Sequence, residues 1–224
     1  SLCLYSGQMC TTPQNIYIPA SGIDTPDGNM SFDDAVAGLV KTVNWFVSDP
    51  ARAAEVLGAV QSEATLTRLS EAAGLGGTVV RPSEPFENER FPEARTATPL
   101  MLQVDASDAG IYQREIFGPV VCIVRTADTD ESIRLATETA RSRGGLTAAV
   151  WRTDGHVLDR ATDSLTNAGV STSCNLAGQI FVNQSAAFSD YHGSGINPAG
   201  NASLCDAAFV ADRFRFVASR IPVP

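Results

Sequence analysis

The sequence predicts an α/β fold: an open, mostly parallel sheet in a three-layer αβα arrangement, with a separate strand at the C-terminus. Three observations carry that expectation. Strand-like and helix-like segments alternate through the middle of the chain, the pattern of a parallel sheet with crossover helices. Val120-Val121-Cys122-Ile123-Val124 is a continuous apolar run of the kind that lies between two helical layers. The 224 residues are 44% apolar and 18% charged, which suits a chain that folds around its own core and not a disordered one.

The elements follow in order. Asn15–Pro19 has strand composition and is stopped by a turn-rich stretch from Ala20 to Asn29. Ser31, with Asp34 three residues on, forms a capping-box-like helix start. Phe32, Val36, Leu39, Val40, Val43, Phe46 and Val47 then recur at helical spacing until Asp49-Pro50. Residues 51–76 predict a mostly polar helix closed by Gly74, Gly76 and Gly77. A short strand at Thr78–Arg81, a loop over Pro82–Pro92 and a strand over Thr98–Val104 lead to the apolar run. Asp130 and Glu131 open a helix whose last turn holds Arg141 and Arg143, a charge order that complements the helix dipole. A strand over Leu146–Trp151, a helix over 156–166 and a strand over Gln179–Asn183 come next. A Gly- and Asn-rich stretch leads to a short helix near 203–211. Phe214–Ser219 then alternates like a strand that pairs outside the domain.

Composition excludes several functions. The net charge is −9, and Lys41 is the only lysine among sixteen basic residues. Without clustered positive charge, general binding to nucleic acid or anionic lipid is not expected. No apolar run reaches the roughly 18–20 residues of a membrane span, and no basic-then-apolar signal segment opens the chain. Five scattered cysteines do not form a secreted disulfide framework, so a reducing cytoplasmic setting is expected. Cys3 and Cys10 are too far apart for a zinc knuckle, and no metal site is expected. Gly74-Leu75-Gly76-Gly77 follows a polar helix and reads as a helix stop, not a phosphate loop.

Two segments have the residue types of a reactive site. Cys10 sits in Ser6-Gly7-Gln8-Met9-Cys10-Thr11-Thr12, a small polar turn able to expose a sulfur and aim backbone N–H groups at a developing oxyanion. Gln113-Arg114-Glu115-Ile116-Phe117-Gly118-Pro119 runs directly into the apolar strand. A carboxylate at Glu115 can accept both hydroxyls of a ribose, and Phe117 offers an aromatic face. The bland readings are an inert cysteine and a solvated Gly-Pro turn. His156 and His192 leave a Cys–His thioesterase or esterase open, and the apolar C-terminal strand leaves open a purely assembling domain.

Gly7-Gln8-Met9-Cys10, followed about a hundred residues later by Glu115-Ile116-Phe117-Gly118-Pro119, resembles the aldehyde dehydrogenase superfamily. Gly145–Trp151 is similar to that family's next strand, and Phe181-Val182-Asn183-Gln184 to its Val-Asn strand end. Gly7–Asn15 and Ser189–Gly195 more closely resemble the phenylacetate-degradation (PaaN-like) branch.

The resemblance implies NAD or NADP as cofactor. It also implies Cys10 as the nucleophile that forms a thiohemiacetal and then a thioester, with its backbone N–H as one oxyanion donor. Glu115 and Phe117 would contact the nicotinamide ribose and ring, and Gln8, Met9, Thr11 and Asn183 would lie near the substrate. Residues 1–200 are then expected to be the catalytic domain and 201–224 a C-terminal arm ending in an oligomerisation strand. Cys10, Glu115 and Phe117 are expected to meet at one sheet edge. The implied substrate is an aldehyde, such as a CoA-linked semialdehyde of aromatic-acid breakdown, turned over by a homodimer or higher homo-oligomer. The family's general-base Glu, its oxyanion Asn and most of its dinucleotide-binding domain precede the nucleophile. Only nine residues do so here. This sequence is therefore expected to be a piece of a longer enzyme, with little turnover alone.

Overall fold

A computed structural model describes residues 2–176 and 219–221 of the chain. They fall into two compact units: residues up to 23 with 29–132, and residues 24–28 with those from 133 on. In chain order the elements are β1 (Asn15–Pro19), the short pair β2 (Ile23–Thr25) and β3 (Gly28–Met30), α1 (Phe32–Val47), α2 (Pro50–Leu57) and α3 (Glu63–Ala73). Then come β4 (Thr78–Arg81), β5 (Leu100–Asp105), α4 (Ala109–Tyr112), β6 (Val120–Thr126), α5 (Thr129–Arg143), β7 (Thr147–Val150), α6 (Gly155–Asn167), β8 (Ser171–Cys174) and β9 (Ser219–Arg220).

The first unit is built on a four-stranded sheet in the order β1-β6-β5-β4. β1, β6 and β5 run parallel, and β4 is the antiparallel edge. The pleat sorts the central strands onto two faces. Leu100, Leu102 and Val104 join Val120, Cys122 and Val124 on one, packed with Leu69 and Ala72 of α3. Met101, Val121 and Ile123 take the other, packed with Phe32, Ala35 and Val36 of α1. The sheet therefore lies between helices, and the mixed α/β, parallel-dominated architecture is as the sequence predicts. Residues 120–124 are all 3% exposed or less. At roughly 1.5–3 kcal/mol per buried aliphatic side chain, this strand is a large apolar contribution to the unit.

The helix starts follow the capping chemistry read from the sequence. Ser31 Oγ accepts the Asp34 N–H at 3.1 Å and donates to the Asp34 carboxylate at 2.6 Å. Asp49 caps α2 by accepting the Arg52 N–H at 3.0 Å, with Pro50 in the first turn where no N–H is needed.

Three readings are corrected. The single helix expected over 51–76 is two, because Val60 is almost completely buried (1% exposed) in a non-helical link. Its N–H donates to Arg95 O at 2.7 Å, and Ser62 then precedes a second helix start. The turn-rich 20–29 stretch contains the β2–β3 pair, with Thr25 Oγ1 donating to Gly28 O at 2.7 Å. Between the expected helix over 156–166 and the expected strand over 179–183 lies a further strand that ends at Cys174. Ser171-Thr172-Ser173-Cys174 is too polar to signal a strand, yet Thr172, Ser173 and Cys174 are buried in the parallel sheet β7-β8-β9 of the second unit. In that sheet Ser219–Arg220 pairs in parallel with β8 of its own chain. The strand expected over 179–183, the helix near 203–211 and residues 214–218 lie outside the described residues. Among the described residues no helix is long and apolar enough to cross a membrane.

Burial on β6 also fixes an alkaline limit. It pushes the Cys122 thiol up to about 11 from an ordinary 9.0. Below the ordinary value both folded and unfolded chains hold the proton, and the contribution is complete. Between the two values the unfolded chain loses its proton first, so stability falls by about 2–3 kcal/mol. Urea unfolding followed from about pH 8 to 11 is expected to show this loss in the wild type and a shallower one in Cys122→Ala. Equal slopes would reject the buried neutral thiol.

Candidate active site

The Cys10 segment begins with an unusual backbone. Tyr5, Ser6 and Gly7 have φ of 51°, 53° and 62°, three consecutive residues in the left-handed region. For Tyr5 and Ser6 this costs roughly 1 kcal/mol or more each, so other interactions must hold it. Ser6 is buried and its hydroxyl donates to Leu57 O at 3.0 Å. Gln8 does most of the rest: its amide donates to Tyr5 O (2.8 Å) and Ala59 O (3.0 Å), and its oxygen accepts the Gln61 N–H (2.8 Å). The link between α2 and α3 is thereby tied to the turn. The Thr12 N–H donates to Met9 O at 3.0 Å, which puts Cys10 and Thr11 at the corners of a β-turn. Cys10 is exposed, and Met9 and Thr11 are half-buried.

The second segment presents two side chains by burying the one between them. Ile116 is in the core, whereas Glu115 and Phe117 are exposed, Phe117 by 38%. From α3, Arg68 Nε donates to Phe117 O at 3.2 Å while its Nη2 donates to Thr65 Oγ1 at 2.7 Å. The Thr65 methyl packs on Gly118.

Parallel pairing brings the two segments to one edge. Asn15 of β1 lies opposite Cys122 of β6, and each segment leads into one of these strands. The Cys122 N–H donates to Gln14 O at 2.9 Å, and the Ile116 N–H donates to Gln14 Oε1 at 3.0 Å. Asn15 Nδ2 donates to Tyr112 O at 2.9 Å. The chains also touch at two glycines. A Cβ on Gly7 would stand 2.5 Å from Gly118 O and 2.8 Å from Pro119 Cα. This edge is the amino-terminal one, whereas ligands of open α/β sheets usually sit at the carboxyl ends. The reason is that both segments precede their strands.

The four described cysteines differ in surroundings. Cys10 is exposed, Cys3 is half-buried, and Cys122 and Cys174 are buried, the last with its sulfur 3.2 Å from Thr162 Oγ1. Burial pushes the Cys3 thiol up, partly offset by the Arg81 guanidinium. Asn183 and His192 lie outside the described residues, and His156 is exposed at the start of α6, where its N–H donates to Asp154 Oδ1. The sequence reading gave no site role to Gln14, Asn15 or Arg68. The available signal was a pair of polar residues, Gln14-Asn15, at the start of a strand that buries its far end.

Comparison with known proteins gives one consistent result. The pattern described as the aldehyde dehydrogenase family matches residues 1–209. Among curated proteins, succinate-semialdehyde dehydrogenase [NADP(+)] of Deinococcus radiodurans is 32% identical over 139 residues, covering 58% of this chain and 26% of that protein. Vanillin dehydrogenase of Corynebacterium glutamicum is 28% identical over 161 residues, covering 70% and 29%. The crystal structure of an NAD-dependent aldehyde dehydrogenase from Burkholderia multivorans is 47% identical with a TM-score of 0.84, covering 95% of this chain and 38% of that one. The chain thus spans between about a quarter and two-fifths of the length of these relatives.

Gly7→Ala is expected to cost about 2–4 kcal/mol, because the added methyl meets backbone and the residue stays left-handed. Gly38→Ala, an exposed position inside α1 with open space around its Cβ, should instead stabilise by about 0.5–1 kcal/mol. Thermal unfolding of both variants checks this; a Gly7→Ala protein as stable as wild type would contradict the close contact.

Proposed function

This chain belongs to the aldehyde dehydrogenase family, and we propose that it supplies the nucleophile and the nicotinamide-side contacts of an NAD(P)-dependent oxidation of an aldehyde to its acid. The observation that supports this reading most is the joining of the Cys10 turn to the Glu115–Phe117 loop at one edge of the sheet, through Gly7, Gly118 and Gln14. The exposure of Cys10, against the burial of Cys122 and Cys174, points the same way.

In this reading the Cys10 thiolate attacks the carbonyl carbon, a C–S bond forms, and the oxygen takes the charge of a tetrahedral thiohemiacetal. The Cys10 N–H donates to that oxygen. When bound, a nicotinamide dinucleotide supplies the hydride acceptor. The carbon that has given up hydride remains on Cys10 as a thioester, and water displaces the sulfur to release the acid and restore the thiol. The balance is aldehyde, NAD(P)+ and water to acid, NAD(P)H and a proton. The exposed residues suit such a cofactor: the Glu115 carboxylate accepts from ribose hydroxyls, and Phe117 offers a ring face to the nicotinamide. Met9 and Thr11 border the aldehyde. Gln8 acts there by holding the turn, since its side chain is already engaged three times. Asn183 joins the reading on its sequence alone.

The aldehyde we propose is a semialdehyde of aromatic-acid breakdown, CoA-linked in the phenylacetate-degradation branch, handled by a cytoplasmic homo-oligomer. Its support is the resemblance of Gly7–Asn15 and Ser189–Gly195 to that branch.

The test uses the gene product at its natural length. Iodoacetamide is expected to label Cys10 ahead of the other cysteines. Succinic semialdehyde or benzaldehyde is expected to reduce NAD+ or NADP+ at a rate that Cys10→Ala lowers by about 10³-fold or more. Glu115→Gln should raise KM for the nicotinamide cofactor more than KM for the aldehyde. Labelling of Cys10 no faster than Cys3, or thioester cleavage at full rate without nicotinamide, would overturn the assignment.

A further inference from the structure

We propose that Gln14 is a positioning residue that aims Glu115 and Phe117 relative to the Cys10 turn. The proposal rests on the reading of those two residues as nicotinamide contacts.

Gln14 meets the chain before β6 at two points with two different oxygens. Its main-chain oxygen accepts the Cys122 N–H at 2.9 Å, and its side-chain oxygen accepts the Ile116 N–H at 3.0 Å. The first bond belongs to the Asn15–Cys122 pair that opens the β1–β6 ladder. The second reaches past the strand into the loop ahead of it. The N–H it holds belongs to the peptide between Glu115 and Ile116, so it fixes the plane from which the Glu115 side chain departs. The Ile116 side chain is buried in the core as a second anchor. On the far side of Ile116, the Phe117 carbonyl is held by Arg68. Exposed residues on a loop are directed only as well as their backbone is held, and here Gln14 is the tie that comes from the strand following Cys10. Gln14 is also four residues from Cys10 with the Met9–Thr12 turn closed between them. The path from nucleophile to Glu115 is therefore one short stretch of backbone and one hydrogen bond.

The chemistry at position 14 is specific: the Ile116 N–H needs an acceptor at that reach. Glutamate has one and methionine, of similar length, does not. Gln14→Met and Gln14→Glu in the natural-length gene product separate aiming from simple stability. With NADH and NADPH as probes, Gln14→Met is expected to weaken cofactor binding roughly five- to tenfold, the loss of one hydrogen bond that leaves a donor unpaired. KM for the cofactor should rise while KM for succinic semialdehyde or benzaldehyde stays within about twofold. Amide exchange over residues 114–119 should quicken, with exchange in β5 and β6 unchanged. Gln14→Glu should restore both cofactor affinity and protection. Quickened exchange with unaltered cofactor binding would overturn the proposal. So would equal losses in the two variants, or a Gln14→Met protein that does not fold beside a Gln14→Glu protein that does. The premise fails separately: if Glu115→Gln leaves NADH and NADPH binding unchanged, the nicotinamide assignment is wrong, whatever exchange at Ile116 shows.

Discussion

The candidate site depends on one pairing, β1 in parallel with β6. Parallel strands present their amino ends at the same edge, so the segment ahead of each is delivered to the same place. Residues that stand about a hundred positions apart in the chain become neighbours without either segment having to fold by itself. The register is fixed by burial. A slip of one residue would turn Val121 and Ile123 away from α1 and would move Gln14 off Cys122. The same apolar side chains that hold the core thus set the alignment of the polar edge.

At that edge the chain gives up side chains to gain proximity. Gly7 and Gly118 meet backbone to backbone, closer than any Cβ allows. The left-handed run through Tyr5 and Ser6 is the strained approach to this contact, and Ser6 and Gln8 offset its cost by hydrogen bonds to the end of α2 and to the link after it. The result is a turn in which Cys10 is exposed while its neighbours are tied down. Two of the other described thiols are quieted by burial: Cys122 lies in the strand core and Cys174 under α6.

Much of this was legible in the residues. The run at Val120–Val124, the cap at Ser31 and the charge order along α5 each state their structure locally, and the alternation of elements gave the fold class. The Cys10 and Glu115 segments stood out because small polar residues beside a thiol, and a carboxylate beside an aromatic, have few structural uses. Three things were not legible. The split at Gly58–Ser62 depends on Val60 finding a core pocket, which no local pattern announces. β8 is a strand because its neighbours cover it, although Ser-Thr-Ser-Cys carries no apolar period. The bond between Gln14 and Ile116 joins residues whose nearness exists only after β1 and β6 have paired.

That pairing also orders events during synthesis. β1 leaves the ribosome well before its hydrogen-bonded neighbour in the four-stranded sheet, β6, which comes more than a hundred residues later. At roughly 5–20 residues per second the wait lasts from about five to twenty seconds. Through that interval Cys10 belongs to a nascent segment whose turn does not yet have Gly118 to rest on. An exposed thiol is open to oxidation, and the unpaired strand behind it to pairing with other chains. The pace of translation therefore bears on the chemical integrity of this residue before β1 and β6 have paired around it.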